Sequence, residues 1–178
     1  MIKLSNDRGN SNSFRTIINP IKEFGNFAAR LHHFARSVLG LIFRHPVTGT
    51  NIIPVLADGR IVLSRRRDTG LWALPGGMVE WGEDIATTVR RELAEETGLE
   101  LIRVSRLVGV YSQPERDPRV HSICVVVEAE VTGKIEIQDK HEICEVEAFE
   151  LKDLPLTRLS YDNEDQLKNY LDQLLVLA

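Results

Sequence analysis

Three glutamates, Glu92, Glu95 and Glu96, lie close together in a segment whose capping and periodicity predict a helix over 84–97. On a helical wheel their arc overlaps the apolar arc, so the carboxylates are expected to face the protein body or a cleft. Like charges at these spacings repel each other, and the C-terminal end of a helix disfavours anions. Carboxylate oxygens are the ligands that Mg²⁺ takes, usually together with substrate phosphates. The pattern indicates a divalent-metal site, with an ordinary glutamate-rich helix as the alternative.

Two adjacent glycines, Gly76 and Gly77, lie in the loop that leads to this helix. Glycine lets a backbone approach a ligand closely or adopt a positive φ. A plain tight turn would also contain them, but it does not explain why the loop leads into three acids.

Residues 77–99 resemble the Nudix box at every defined position of that motif. The matching residues are Gly77, Glu83, Arg91, Glu92, Leu93, Glu95, Glu96, Gly98 and Leu99. The preceding Leu74-Pro75-Gly76 is similar to the usual lead-in. The resemblance extends more weakly over about 46–160, where the order of strands is similar to the Nudix fold, and does not reach the first 45 residues.

The resemblance implies hydrolysis of a nucleoside diphosphate linked to another group, with Mg²⁺ or Mn²⁺ as cofactor. The number of ions, one to three, stays open. The implied ligands are the Gly77 carbonyl and the carboxylates of Glu92, Glu95 and Glu96. Arg91 is expected to pair with Glu83 and orient the helix, while Gly76 and Gly98 support the box. Metal ions would neutralise the pyrophosphate while water attacks phosphorus.

The general base is open between two assignments. Glu142, in Lys140-His141-Glu142-Ile143, resembles the loop glutamate that serves as base in some Nudix enzymes. Glu95 or Glu96 is the competing assignment. A surface glutamate in a charged loop would explain Glu142 equally simply.

The segment 111–121 is the clue to the substrate. Its Arg116-Asp117-Pro118-Arg119 core is similar to the segment found in ADP-ribose pyrophosphatases. The planar, forked donors of Arg116 and Arg119 suit phosphate or ribose oxygens. A turn built from proline and aspartate with solvated arginines is the alternative.

Other residues near the box could also contact a nucleotide. Alternation along a predicted strand puts Arg65 and Arg67 on one face and Arg66 on the other, and we assign Arg65 and Arg67 to substrate phosphate. Trp72 and Trp81 could stack on adenine, although simple packing is the favoured interpretation. No histidine spacing typical of a zinc site is present.

The order of the helices and strands that must position these residues predicts an α+β fold. The resemblance makes it an α/β/α sandwich of the Nudix type, with a mixed sheet between helices and an N-terminal helical extension. The predicted elements are a hairpin of strands 51–57 and 60–67, a loop over 71–83, the box helix, strands 101–111 and 120–131, extended segments 134–138 and 143–151, and a helix over 162–177 with Leu167, Tyr170, Leu171, Leu174 and Leu175 on one face.

The predicted organisation has three parts. Residues 1–18 are polar and expected to be a disordered tail, 19–45 form an amphipathic helix, and 46–178 form the Nudix domain. The helix could cover the domain, pair with its copy in a homodimer or lie on a membrane surface. Packing or dimerisation is favoured over the membrane.

Composition excludes several classes of protein. The 178 residues carry 22 Lys and Arg against 26 Asp and Glu, a net charge of −4, which argues against a nucleic-acid partner. No apolar run reaches the length of a membrane span, and the first residues lack a secretory signal, so a cytoplasmic location is expected. The two cysteines, Cys124 and Cys144, are expected to be buried free thiols.

The leading hypothesis is a Mg²⁺-dependent enzyme that converts ADP-ribose to AMP and ribose 5-phosphate. One alternative is a hydrolase of oxidised nucleoside triphosphates, FAD or NADH. Another is a non-catalytic Nudix-like nucleotide sensor. Every box acid is present and the single C-terminal helix leaves no room for a helix-turn-helix, so an enzyme is favoured over a sensor.

Overall fold

A mixed sheet forms the centre of the chain over residues 45–178, the part that the structure, a computed structural model, describes. The eight strands run in the order β3-β2-β1-β6-β5-β8, with β4 paired to β1 and β7 paired to β2. Their bounds are β1 Val47–Val55, β2 Ile61–Arg66, β3 Trp72–Ala73, β4 Gly76–Met78, β5 Glu100–Tyr111, β6 Ser122–Thr132, β7 Ile143–Phe149 and β8 Val176–Leu177. The predicted tail over 1–18 and the predicted helix over 19–45 fall outside the described residues, apart from His45.

The predicted box helix is two helices joined end to end. Helix α1, Ile85–Glu92, begins at Asp84, whose side chain accepts a hydrogen bond from the Thr87 backbone N–H at 2.8 Å. It continues as a π-helix over Leu93–Thr97, and Gly98 ends it in the left-handed conformation with φ 73°. Helix α2 is Asn163–Leu171, and single 3₁₀ turns cover Pro114–Arg116, Leu151–Asp153 and Leu156–Arg158.

Apolar side chains pack on both faces of the sheet because successive strand residues point to opposite faces. Ile53 and Leu63 belong to a core that also contains Leu167 of α2. Ile52 and Val62 belong to a second core, whose members also include Val89, Leu93 and Leu99. Helices therefore cover both faces, and the predicted α/β/α fold class is confirmed for the described residues.

Three predicted elements differ from the structure. The loop over 71–83 contains two short strands, β3 and β4. Residues 134–138 form no strand, because Glu136 donates its N–H to the carbonyl at the end of the π-helix, on Thr97, at 2.9 Å. The final helix ends at Leu171 rather than near 177: Gln173 has a φ of 57°, and β8 then pairs with β5 in parallel. Leu174 and Leu175 are consequently exposed instead of packed.

The cysteines and tryptophans divide between core and surface. Cys124 is a buried free thiol as predicted, but the prediction was wrong for Cys144, which is exposed because its position on β7 points outward. Trp72 packs edge-on against Phe149, with ring centroids 5.0 Å apart, whereas Trp81 is fully exposed. In the described part of the chain, no helix combines the length and apolarity that a membrane span requires.

Candidate active site

A cavity of about 590 Å³ opens where the box helix, the end of β2, the 111–121 segment and the start of α2 meet. Carboxylates of the box and arginines of β2 and the 111–121 segment both line it. The predicted site residues in its lining are Gly76, Gly77, Arg91, Glu92, Glu95, Glu96, Arg116, Arg119 and Glu142. The fold therefore brings segments as far apart in the chain as Val47 and Asn163 into one site.

Two of the three box glutamates turn inward, as the helical wheel indicates. Glu92 and Glu96 are buried, while the Glu95 side chain is half exposed. The Glu96 carboxylate accepts a hydrogen bond from the Ser64 hydroxyl at 3.1 Å. Burial and the neighbouring Glu92 charge raise the pKa of Glu96 to about 8. Burial also raises the pKa of Glu92, even though Arg91 donates to it at 2.7 Å.

The box residues fit a hard divalent cation by their chemistry. A Cβ at Gly77 would lie 2.2 Å from a Glu92 carboxylate oxygen, so only glycine lets this carboxylate approach the backbone there. Two buried carboxylates with raised pKa values lack sufficient compensating positive charge, and a divalent cation would supply it. Among residues 45–178, no three acidic, histidine or cysteine side chains are already gathered as a formed metal centre. These residues are accordingly a candidate donor set.

Arg91 ties the loop before α1 to the acids on the helix. Its guanidinium donates to both Glu83 oxygens, at 2.9 and 3.0 Å, and to Glu92. A further donor reaches the Met78 carbonyl at 3.0 Å. The hydrogen bonds that Arg91 donates are the main reason why the pKa of Glu83 falls to about 2. The structure thus contains the Arg91–Glu83 pair that the resemblance implies, and this pair holds the loop against the helix.

The loop that carries Glu142 is fastened to the end of the box helix. The Glu95 backbone carbonyl accepts N–H groups from Gln138, at 3.1 Å, and Asp139, at 2.8 Å. The Asp139 carboxylate accepts the N–H of Glu142 at 3.3 Å. Gly98 permits this approach, because a Cβ there would lie 2.4 Å from the Glu136 carbonyl oxygen. Glu142 is therefore held at the cavity by backbone contacts with the box itself.

The arginines at the end of β2 are placed differently from the prediction. Alternation holds, but Arg66 lines the cavity and Arg65 and Arg67 do not. Arg65 donates to the Gly70 carbonyl and to Glu145, at 2.9 and 3.0 Å. The face with Arg66 is the one whose Val62 packs in the same core as the box helix, a relation that the sequence does not display.

Arg67 supports the Glu142 loop instead of facing the cavity. Its backbone N–H donates to the Glu142 carbonyl at 2.8 Å, and its Nε donates to the Lys140 carbonyl at 3.1 Å. The cavity thus includes Arg66 and leaves out Arg65 and Arg67, whose contact with substrate phosphate stays a prediction.

Arg116 is engaged in a partly buried polar network. Its Nη1 donates to both Asp162 oxygens at 3.0 Å, and its Nε and Nη2 donate to Ser122. Asp162 also accepts from Gln166 at 2.8 Å, and Gln166 accepts from Asn51 at 2.8 Å. Arg116 therefore lines the cavity chiefly as a strut between the 111–121 segment and α2. Arg119 is more exposed and pairs with Asp117 at 2.9 Å.

Sequence reasoning missed several residues of the lining. They are Ser64, Arg66, Asp139, Tyr161, Asp162 and Asn163. Ser64 and Arg66 lie on β2, Asp139 lies in the Glu142 loop, and the other three are consecutive at the start of α2, so no local spacing links the three groups. A positive φ of 54° at Tyr161 is visible only in the structure.

The fold and the cavity together define the class of this protein: an α/β/α enzyme whose carboxylates and arginines suit a phosphate-containing substrate. The NUDIX domain model matches residues 45–170, and the chain belongs to the Nudix hydrolase family of pyrophosphohydrolases.

Relatives and solved structures agree with this placement. The chain is 40% identical over 133 residues to an ADP-ribose pyrophosphatase from Methanocaldococcus jannaschii, which covers 73% of this chain and 76% of that protein. A MutT Nudix hydrolase from Burkholderia pseudomallei is 30% identical with a TM-score of 0.62, over 70% of this chain and 98% of the other. An ADP-ribose pyrophosphatase from Streptococcus suis is 26% identical with a TM-score of 0.61, over 75% and 100%.

Proposed function

We propose that this Nudix hydrolase is a divalent-metal-dependent ADP-ribose pyrophosphatase that yields AMP and ribose 5-phosphate. The observation that carries the proposal is the cavity itself, where the box carboxylates and the 111–121 segment meet. Similarity over most of the chain to a protein named ADP-ribose pyrophosphatase supports the choice of substrate.

The carboxylates Glu92, Glu95 and Glu96, with the backbone at Gly77, would hold the metal. The chemistry that Mg²⁺ or Mn²⁺ would supply there is neutralisation of phosphate charge and polarisation of the phosphorus–oxygen bonds. Arg91 keeps Glu92 in place through its hydrogen bond and holds the helix to Glu83. The chain thus supplies fixed ligands on a rigid helix.

Glu142 is the proposed general base that accepts a proton from the attacking water. Its carboxylate lines the cavity, and its loop is anchored through Asp139 and Arg67. Glu96 is less suited to this role, because it is buried and already accepts the Ser64 hydroxyl. Anchoring a base in this way preserves the geometry that proton transfer requires.

The charge of the arginine region favours ADP-ribose over a triphosphate. Three arginines of the lining, Arg66, Arg116 and Arg119, form this arginine region, and each is paired with an aspartate. The pairs are Arg66 with Asp68, Arg116 with Asp162 and Arg119 with Asp117. Little net positive charge is left for a third phosphate, whereas paired carboxylates and guanidinium edges can hydrogen-bond ribose hydroxyls.

The experiment is a turnover panel in millimolar Mg²⁺ with ADP-ribose, FAD, NADH, diadenosine polyphosphates and 8-oxo-dGTP. ADP-ribose is expected to have the highest kcat/KM, with AMP and ribose 5-phosphate as products, and EDTA is expected to abolish turnover. Preference for 8-oxo-dGTP would reject ADP-ribose as the substrate but would leave the proposed metal-dependent hydrolysis at the box intact. Nucleotide binding without turnover on any substrate would favour the sensor hypothesis instead.

A further inference from the structure

Tyr161 has a backbone conformation that tyrosine rarely adopts. Its φ is 54°, in the left-handed region that favours glycine. Buried anchors hold the chain on both sides. Ser160 donates its N–H to the Trp72 carbonyl at 2.8 Å, and the Asn163 side chain accepts the Leu74 N–H at 2.7 Å. Strain of this kind persists only where the surroundings enforce it, and it concentrates at functional sites.

The Tyr161 ring attracts two arginines from distant parts of the sequence. The Arg119 guanidinium carbon lies 4.1 Å from the ring centroid, and that of Arg66 lies 5.8 Å from it. All three residues line the cavity. Two guanidinium groups this close to one ring repel each other, and the negative ring face helps to offset the repulsion.

The two arginines are held in the same way. Arg66 donates Nε and Nη2 to Asp68, at 3.0 and 2.9 Å, and Arg119 donates Nε and Nη2 to Asp117, at 3.0 and 2.9 Å. Within residues 45–178, neither Nη1 makes a hydrogen bond in this structure. The aspartates thus fix one edge of each fork and leave the other edge available to a ligand.

We propose that Tyr161 is a positioning residue that holds Arg66 and Arg119 as a clamp for the diphosphate oxygens of the substrate. Paired guanidinium donors match phosphate geometry well. Arg116 is outside the clamp, because Asp162 and Ser122 already occupy its donors. The inference rests on the proposed cavity and on a diphosphate ligand, but not on ADP-ribose in particular.

The first test is Tyr161→Gly, with Gln173→Gly as its matched control. Both residues have a positive φ that glycine accepts without strain, but Gln173 lies outside the cavity lining. In Tyr161→Gly, KM for the substrate is expected to rise roughly tenfold, equivalent to about 1.4 kcal/mol. Its kcat should change little, and its Tm should not fall. Gln173→Gly should leave KM unchanged.

Conservative variants separate positioning from a general loss of structure. Tyr161→Phe keeps the ring face and is expected to recover most of the affinity that Tyr161→Gly loses. Arg119→Lys keeps the charge and the Tyr161 backbone but removes the fork, so KM should rise by a similar factor. An unchanged KM in Tyr161→Gly or in Arg119→Lys would overturn the clamp.

Inorganic pyrophosphate tests the clamp without turnover. It is expected to raise the Tm of the wild-type chain and of Gln173→Gly, and to raise that of Tyr161→Gly much less. Equal rises in all three proteins, or none in the wild type, would overturn the clamp. If ADP-ribose is not hydrolysed but the Tm pattern holds, the proposed substrate fails and the clamp stands.

Discussion

The two charged regions of the cavity are built in contrasting ways. The acidic region comes from the box helix, where Arg91 pairs with Glu92 and Glu95 but, within residues 45–178, Glu96 has no ion pair: burial and the Glu92 charge raise the pKa of Glu96 to about 8. The arginine region comes from two distant segments, the end of β2 and the 111–121 segment, and each of its arginines has an aspartate partner. The Arg119 guanidinium, for example, helps to hold the pKa of Asp117 below its usual value although burial acts to raise it.

The acidic region therefore has excess negative charge that a bound cation would balance, whereas the charges of the arginine region are already balanced by aspartates. Uncompensated buried carboxylates are costly unless a cation binds, so the acidic region gains most from a metal. Balanced ion pairs are costly mainly when one partner is removed. We therefore expect substitutions in the acidic region to impair catalysis, and substitutions in the arginine network to impair folding or substrate affinity.

Glu96→Gln should have the largest effect on activity. Metal stabilisation of the transition state is worth several kcal/mol, so turnover should fall at least roughly a thousandfold. Steady-state kinetics with excess Mg²⁺ measures this. A variant with near-normal turnover would contradict the assignment of Glu96 to the metal.

The same variant should change how stability depends on pH. The folded pKa of Glu96 is raised, so its protonated form stabilises the metal-free protein at low pH. That contribution is lost as pH rises from the usual glutamate pKa through about 8. Thermal unfolding of the metal-free wild type should therefore show a decline in stability over this range, and Glu96→Gln should flatten it.

Arg116→Ala should reduce stability more than any exposed arginine substitution. It leaves the mostly buried Asp162 without its main cation; breaking a fully buried pair costs roughly 3–5 kcal/mol, which is the upper bound expected here. Arg103→Ala is the control, because its pair with Glu130 is exposed and screened by solvent, and so should contribute little to stability. Urea unfolding of both variants measures the difference. Equal losses of unfolding free energy in the two variants would show that the Arg116–Asp162 network does not act as a strut.

Glu142→Gln should lower kcat about 10²–10³-fold, within the usual range for a general base, and leave KM nearly unchanged. The loop geometry should persist, because its anchors are backbone groups and the Asp139 carboxylate. Glu147→Gln on β7 is the control, since Glu147 is exposed and outside the cavity. Full activity in Glu142→Gln would transfer the role of base to Glu95 or Glu96.

Glu83→Gln should have the smallest effect. Glu83 is expected to act through Arg91, and loss of such supporting contacts typically costs 10–100-fold in metal affinity or activity. The concentration of Mg²⁺ that gives half-maximal turnover should rise accordingly. Glu100→Gln, an exposed acid at the start of β5, should leave that concentration unchanged.

Parts of the fold followed from local pattern and others did not. The turn at Asp58-Gly59 and the cap at Asp84 depend on neighbouring residues, so the sequence predicts them well. Strand β8 and the early end of α2 depend on pairing with β5, about 65 residues away, and were predicted as helix. Trp81 and Cys144, which were predicted to be packed or buried but are exposed, show the same limit for burial.

The sequence by itself determined the family, the acidic helix and its inward carboxylates, because all of these lie within one short segment with a fixed helical period. It also determined that Arg65 and Arg67 share one face and Arg66 the other. Only the tertiary structure decided which face meets the box, that Arg116 is a strut, and that Tyr161 joins Arg66 to Arg119. These relations are contacts between segments far apart in the chain, and no local spacing encodes them.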